Sequence, residues 1–403
     1  NRFLYYYFYI YLLLLYLGTY FKMSRGLIRA FRLVLEDEIV DEDEVFTIRR
    51  PRWMRERIND FDLDEIDFRT RYRLSKTTVL AVLEQIEHRI EYPSDRNDSV
   101  SPINQLLCAL RFYATGCFQS VVADLGGFST ATAHRIVHKV STAIAELRHQ
   151  YIYFPENEEE IRKTQVDFYE KYKFPRVLGA IDCTHIKLGQ SPGGPNAEVF
   201  RNRKGFFSLN VQAICNSNLE ITDLVARYPG SAHDSRIFRQ SRRRALFEEQ
   251  AYGDALFLGD SGYGSRRYMM IPLDQCLTLA EQLYNESQIR TRNAVERMFG
   301  VWKRRFPALA MGLRVSLPRT FPIITATAVL HNIARRAGDE VPSRMECNLP
   351  APWDQLLAQD DIPMYPQENQ HHRRVTIDNR ERKEIITNYF GRLAIQQQHA
   401  LGR

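Results

Sequence analysis

Three carboxylates in this chain stand where a carboxylate needs a reason. In VLGAIDCTHIKL (177–188) an apolar run leads straight into Asp182, with Thr184 and His185 close behind. In ALFLGDSGY (255–263) a second apolar run ends at Asp260. The third acid is Glu296, flanked by Val295, Phe299, Trp302 and Phe306 at 4-3-4 spacing, which puts it at the edge of a packed helical face. An unpaired charge taken out of water costs on the order of several kcal/mol. Each acid must therefore leave the core at the end of its strand or meet something positive. Adjacent strand ends and one helix can gather three such groups, which then repel one another unless protonated or metal-bound. Oxygen ligands with no Cys or His demanded suit Mg²⁺ or Mn²⁺. Two such ions about 4 Å apart would clamp the attacking and leaving oxygens of a phosphodiester.

The surroundings favour a polyanion. The segment around Glu296 carries Arg290, Arg292, Arg297, Lys303, Arg304 and Arg305 against Glu286 and Glu296 alone, and an upstream loop adds Arg201, Arg203 and Lys204. Backbone phosphates need such donors, and affinity built from them falls with salt. Each residue also has a plainer reading. The cations can be solvated faces. Asp260 can be a turn residue, since D-S-G-Y is good turn chemistry. Glu296 can pair with Arg292 or Arg297, and Asp182 can cap a neighbouring backbone. Asp234, in AHDSRIF, competes with Asp260 for the second ligand position but reads better as the cap of the helix after it.

The elements that must hold these groups follow from patterning. Residues 72–174 read as helical. Leu74, Val79, Leu80, Val82 and Leu83 recur at helical spacing, as do Leu106, Leu107 and Leu110. FQSVVADLGGFSTATAHRIVHKVSTAIAEL predicts a short helix, a turn at Gly126–Gly127, and a longer helix capped by Ser129 or Thr130. The second helix carries His134, Arg135, His138 and Lys139 at positions expected to be exposed, as in a helix-turn-helix whose second helix enters a major groove; the alternative is a helical hairpin with a solvated basic face. Residues 154–175 predict another helix, acidic at its start and basic at its end. From 175 to 340 strands and helices alternate, an α/β pattern. It comprises the Asp182 strand, a hairpin over 208–229, a helix over 233–250, the Asp260 strand, and helices over 285–307 and 324–336. Residues 23–71 are charge-rich, with EDEIVDEDE (36–44) solvated, and 341–403 form a polar extension in which RKEIITNYFGRLA (382–394) is expected to pack back.

Composition sets outer bounds. With 44% hydrophobic and 26% charged residues the chain can build a sizeable core. The net charge of +6 comes from 55 basic against 49 acidic residues, so local placement of charge must decide whether nucleic acid is a partner. The cysteines Cys108, Cys117, Cys183, Cys215, Cys276 and Cys347 form no C-x-x-C pair, which excludes a zinc finger and fits reduced thiols. Residues 1–22, NRFLYYYFYIYLLLLYLGTYFK, are long and apolar enough to cross a bilayer. They read instead as translated AT-rich untranslated sequence ahead of Met23, with a membrane anchor as the alternative. No membrane association is expected of the rest.

Taken together, LRFYATGCFQ (110–119), GAIDCTHIKL (179–188), NRKGFFSLNVQAIC (202–215), PGSAHDSRIF (229–238), LGDSGY (258–263), YNESQIRTRNAVERMFGVWKRRFP (284–307) and VLHNIA (329–334) resemble the PIF/Harbinger transposase superfamily, in particular its domesticated nucleases. The resemblance runs from Met23 to about residue 395. It implies an RNase H-like DDE nuclease domain over 175–340, preceded by the helix-turn-helix-like region. Asp182, Asp260 and Glu296 match the family's first, second and third acids, and 35 residues separate the last two. It further implies that these acids hold two divalent ions, that the substrate is DNA, and that a separate Myb/SANT-like protein supplies DNA binding and entry to the nucleus. His185, Arg203 and Lys204 match family positions near the site and are expected to touch DNA, together with Arg290, Arg292, Arg297, Lys303 and Arg304. The alternative is a domesticated DNA-binding or adaptor protein that kept the fold and lost turnover.

Overall fold

The computed structural model describes residues 59–94, 99–341 and 379–401. These lie within one compact unit, Arg55–Arg403. The apolar segment 1–22, the acidic run 36–44, Cys347 and residues 342–378 of the polar extension lie outside the described residues.

Helices come first: α1 (Glu65–Tyr72), α2 (Lys76–Ile90), α3 (Pro102–Thr115), α4 (Gln119–Gly126), α5 (Thr130–Glu146), a single turn α6 (Arg148–Tyr151) and α7 (Glu158–Tyr172). Each boundary has a local cause. Ser129 caps α5 by accepting from the Thr132 amide, and Gly127, at φ +68°, reverses the chain between α4 and α5 at no cost to a side chain. Asn157 caps α7, with Glu158, Glu159 and Glu160 at its positive end.

Five strands then form one sheet: β1 (Val177–Lys187), β2 (Ser208–Cys215), β3 (Ile221–Pro229), β4 (Leu256–Leu258) and β5 (Met269–Met270), in the order β3-β2-β1-β4-β5. The first three pair antiparallel, whereas β4 joins β1, and β5 joins β4, in parallel. Between β3 and β4 the expected single helix over 233–250 is two, α8 (Asp234–Arg239) and α9 (Arg242–Glu248). Ser241 breaks the run by capping the second.

Ile181 and Phe257 alternate to the face covered by Phe238 and Phe247 of α8 and α9, and an irregularity in the β1–β4 register between Val177 and Gly179 accompanies the turn of Leu178 to the same side. Ala180, Ile186, Leu258 and Met270 point the other way, into the main core. Against that face lies α10 (Leu279–Arg305), capped by a Thr278–Glu281 capping box. It is followed by α11 (Ala308–Met311), α12 (Leu317–Arg336), α13 (Arg380–Ile385) and, after a π-helical turn, α14 (Gly391–Leu401). The late amphipathic segment does pack back, with Phe390 edge-on to Tyr284 of α10.

This core is continuous from Phe68 in α1 to Phe390, so the helical region and the sheet share it. Within it α5 is central: Ala133, Ile136, Val137, Val140 and Ile144 are buried, and α12 packs along it with α2, α3 and α4. α5 therefore gives one whole face to the core, which narrows the surface it could offer to a groove. Of its four basic positions only Arg135 is exposed. Lys139 instead donates to the carbonyls of Ile90 and Glu91, and His134 contacts Arg319 of α12.

Candidate active site

Asp182 does not terminate its strand. It pairs with Ala213 in the middle of β1, which continues to Lys187. What ends is the neighbour: the β1–β4 ladder stops at Ala180–Leu258. Two residues beyond that parallel pair stand Asp182 on β1 and Asp260 after β4. Equal offsets in a parallel register put both on the face that meets α10. Asp260 also keeps its turn role, accepting from the Gly262 amide at 3.0 Å. Asp182 accepts from the Cys183 amide at 2.7 Å and retains 19% side-chain exposure, enough for solvent to reach it.

The third acid arrives from α10, where Gln288, Arg292 and Glu296 succeed one another every four residues along one face. Arg292 lies between the strands and Glu296, its Nη1 at 2.7 Å from Glu296 and 3.7 Å from Asp182. The same-helix pairing of Glu296 is therefore present, and it coexists with proximity to Asp182. Burial works against the Arg292 charge, and Glu296, Asp182 and Asp260 together hold it protonated. Glu296 and Asp182 thus flank one guanidinium, and the charge of Asp260 reaches it as well.

Burial is the chief reason that the Asp182 carboxyl is pushed up from the usual carboxylate range, with the charges of Asp260 and Asp234 adding and Arg292 opposing. Asp260 is raised for the same first reason; Asp234 and Glu296 add to it, and Arg292 opposes. Among the described residues no three His, Cys, Asp or Glu side chains already stand at metal-ligand spacing. The donor chemistry nevertheless fits a hard divalent cation, since a carboxylate-rich buried site with one guanidinium as counter-ion is what such an ion would neutralise.

Asp234 is a residue the sequence undervalued. The N-cap position of α8 falls to His233, which makes no side-chain cap bond, while Asp234 sits at the first position of the helix and accepts from Asn210 Nδ2 at 2.7 Å. Its charge reaches Asp182, Asp260 and His185. Gln288 was missed altogether. Wholly buried, it donates to the carbonyls of Gly259 (2.9 Å) and Met270 (3.2 Å), tying α10 to the residue before Asp260. Its polar neighbours in sequence, Glu286, Ser287 and Arg290, made it look like part of a solvated face.

The basic residues of α10 do not form one DNA-facing row. Lys303 is 1% exposed, and its ammonium donates to Thr184 Oγ1 (2.5 Å) and the His185 carbonyl (3.1 Å), so it fastens α10 to β1 and cannot reach a phosphate. Arg305 is buried on the carbonyls of Arg73, Asp339 and Glu340. Arg304 is partly buried. Arg292 is committed to the acids. Arg290 and Arg297 are exposed but turn toward α7, where Arg290 donates to the Tyr172 carbonyl and Arg297 is felt by Lys171. Among the described residues, the loop does keep exposed cations near the acids. Arg203 donates to His233, next to Asp234, and Lys204 lies close enough to depress His185. Arg201 is bidentate on Glu198. His185 is half-buried, its Nδ1 3.1 Å from Ser208 Oγ.

Residues 181–332, which include all three acids, match the DDE superfamily endonuclease family. The chain is 30% identical over 344 residues to the human protein named "Putative nuclease HARBI1", covering 83% of this chain and 94% of that one. The chain belongs to the PIF/Harbinger superfamily. Other members similar to it are the cattle protein of the same name, 31% identical over 70% of this chain and 82% of its own length, and the Arabidopsis thaliana "Protein ALP1-like", 25% identical over 60% and 62%. No solved structure matches. The mixed sheet with helices on both faces fits the RNase H-like fold of a DDE superfamily member. Among the described residues no helix is long and apolar enough to cross a membrane.

Proposed function

We propose that this chain is a transposase-derived, divalent-metal-dependent nuclease that hydrolyses DNA phosphodiester bonds. The observation carrying this reading is that Arg292 bridges Glu296 (2.7 Å) and Asp182 (3.7 Å), with Asp260 standing two residues past the same end of the β1–β4 ladder. Asp182, Asp260 and Glu296 are the residues that would hold Mg²⁺ or Mn²⁺. When bound, two such ions supply an activated water and stabilise the leaving oxygen. The chain's own groups then have distinct tasks. Gln288 and Lys303 fix α10 against β4 and β1, so that Glu296 faces the two aspartates. Arg292 balances the acids while they are otherwise uncompensated. Arg203 and Lys204, exposed on the adjoining loop, are placed to take phosphates flanking the scissile bond. A separate Myb/SANT-like DNA-binding partner and action in the nucleus extend the same reading.

The test is nicking of supercoiled plasmid in Mg²⁺ or Mn²⁺ by the purified chain beside Asp182→Ala and Glu296→Gln. Cleavage by the parent and background for both variants is the expected result. Equal background in all three would sink the proposal. A catalytically silent adaptor is the second reading, and the absence of preformed metal-ligand spacing among the described residues favours it.

A further inference from the structure

Away from the acids, α2, α5 and the first turn of α12 enclose an open cleft of about 730 Å³. Arg89, Arg135, Lys139 and Arg319 line it against one carboxylate, Glu146, and the His138 ring adds a further polar group. None of these residues belongs to the acidic site. Several are partly spent inside the fold: Arg89 pairs with Glu146, Arg319 contacts His134, and Lys139 donates to the end of α2. Arg135 is exposed and, among the described residues, is neither hydrogen-bonded nor ion-paired. It lies one helical turn, about 5.4 Å, before Lys139 on the same face of α5. Arg319 stands in the first turn of the long helix α12, whose N-terminal end carries positive partial charge.

The lining also selects the ligand. No Phe, Tyr or Trp borders the cleft, its rings are the imidazoles of His88 and His138, and its one aliphatic member is Ala143, so it has little apolar surface on which to bury an organic cofactor. Several cations beside so little apolar surface suit phosphates.

We infer that this cleft is a second, sequence-independent seat for the DNA backbone, holding the duplex at a distance from the acids. The inference rests on the nuclease reading for its choice of polyanion, and it replaces groove reading by α5 with backbone clamping between three helices. A single chain that grips its substrate twice gains effective concentration at the second contact.

The experiment measures binding of two unrelated fluorescent DNA duplexes in EDTA, where no cleavage chemistry is needed. It compares the full chain, Arg135→Glu, Arg135→Lys and a control, Arg162→Glu, an exposed position on α7 outside the cleft. Arg135→Glu is expected to weaken both duplexes alike by several-fold and to reduce the salt slope by about one, with Arg135→Lys close to the parent. Unchanged melting of Arg135→Glu shows that folding is intact. Binding and salt slope equal to those of Arg162→Glu would overturn the inference. So would binding of polyglutamate that depends on Arg135 while duplex binding does not, since that assigns the cleft to acidic peptides. Absent plasmid cleavage with Arg135-dependent duplex binding would count against the catalytic reading and for the cleft.

Discussion

Arg292 decides how the acids behave while they face one another. Asp182 and Asp260 have carboxyls raised by burial, so in the folded chain they bind protons at pH values where the unfolded chain's carboxyls are already ionised. Raising the pH above the ordinary carboxylate range therefore takes stability from the metal-free protein until both have ionised. A divalent cation binds the ionised pair, so its stabilising effect should grow as pH rises. Melting curves in EDTA and in excess Mg²⁺ at pH 5 and pH 8 test this. At a metal concentration of 100 times Kd the gain at the higher pH would be about 2.7 kcal/mol. A melting temperature indifferent to Mg²⁺ at both pH values would rule out the acids as a cation site. Arg292→Met removes the counter-ion and is expected to lower the metal-free melting temperature more at pH 8 than at pH 5.

At the scale of elements, α10 acts as the ruler on which the site is laid out. Its sequence is polar, yet Asn285, Ser287, Gln288 and Thr291 are buried, because each finds a backbone or side-chain partner. Gln288→Leu keeps the volume but strips partners from the Gly259 and Met270 carbonyls. A loss of about 2 kcal/mol or more is expected in urea denaturation. If Asp260 does act in cleavage, its loosened support should also cost roughly 10- to 100-fold in plasmid nicking. Stability loss with full nicking would make Gln288 merely structural. The VLHNIA segment works the same way for α12. Asn332 brackets Ile221, accepting from its amide at 2.8 Å and donating to its carbonyl at 2.7 Å, and donates to Tyr151 as well. Asn332→Ala leaves those backbone groups unpaired in the core. It should destabilise by roughly 3 kcal/mol with little change in DNA affinity, measured by denaturation and duplex binding in parallel.

For the molecule as a whole, one core links α1 to the C-terminal helix, so residues 175–340 should not fold when expressed alone: α12 would expose the face it now buries against α5. Far-UV dichroism and a melting scan of that fragment, beside the full chain, check the expectation; a cooperative transition in the fragment would refute it. His331 sets acid sensitivity. It is wholly buried, donates from Nε2 to the Leu219 carbonyl at 2.8 Å, and burial holds its pKa down to about 3. The unfolded chain takes up that proton near its ordinary value, so this group's contribution is present at neutral pH and drains away between about pH 6.5 and 3. His331→Gln should flatten that part of the stability profile. Sequence alone brought Asp182, Asp260 and Glu296 forward as candidates and predicted the strands and helix that carry them, because apolar periodicity is local and short motifs such as GAIDC, LGDSGY and AVERMFG mark the turns and faces directly. Only the tertiary structure decided that Lys303 and Arg305 are interior fasteners, that Asp234 shares the field of the acids, and that α5 is buried as a hub. Those outcomes depend on which faces meet across the core. A lysine on a helix looks the same in sequence whether its ammonium ends in water or on Thr184, and the choice is made by the strand that packs against it.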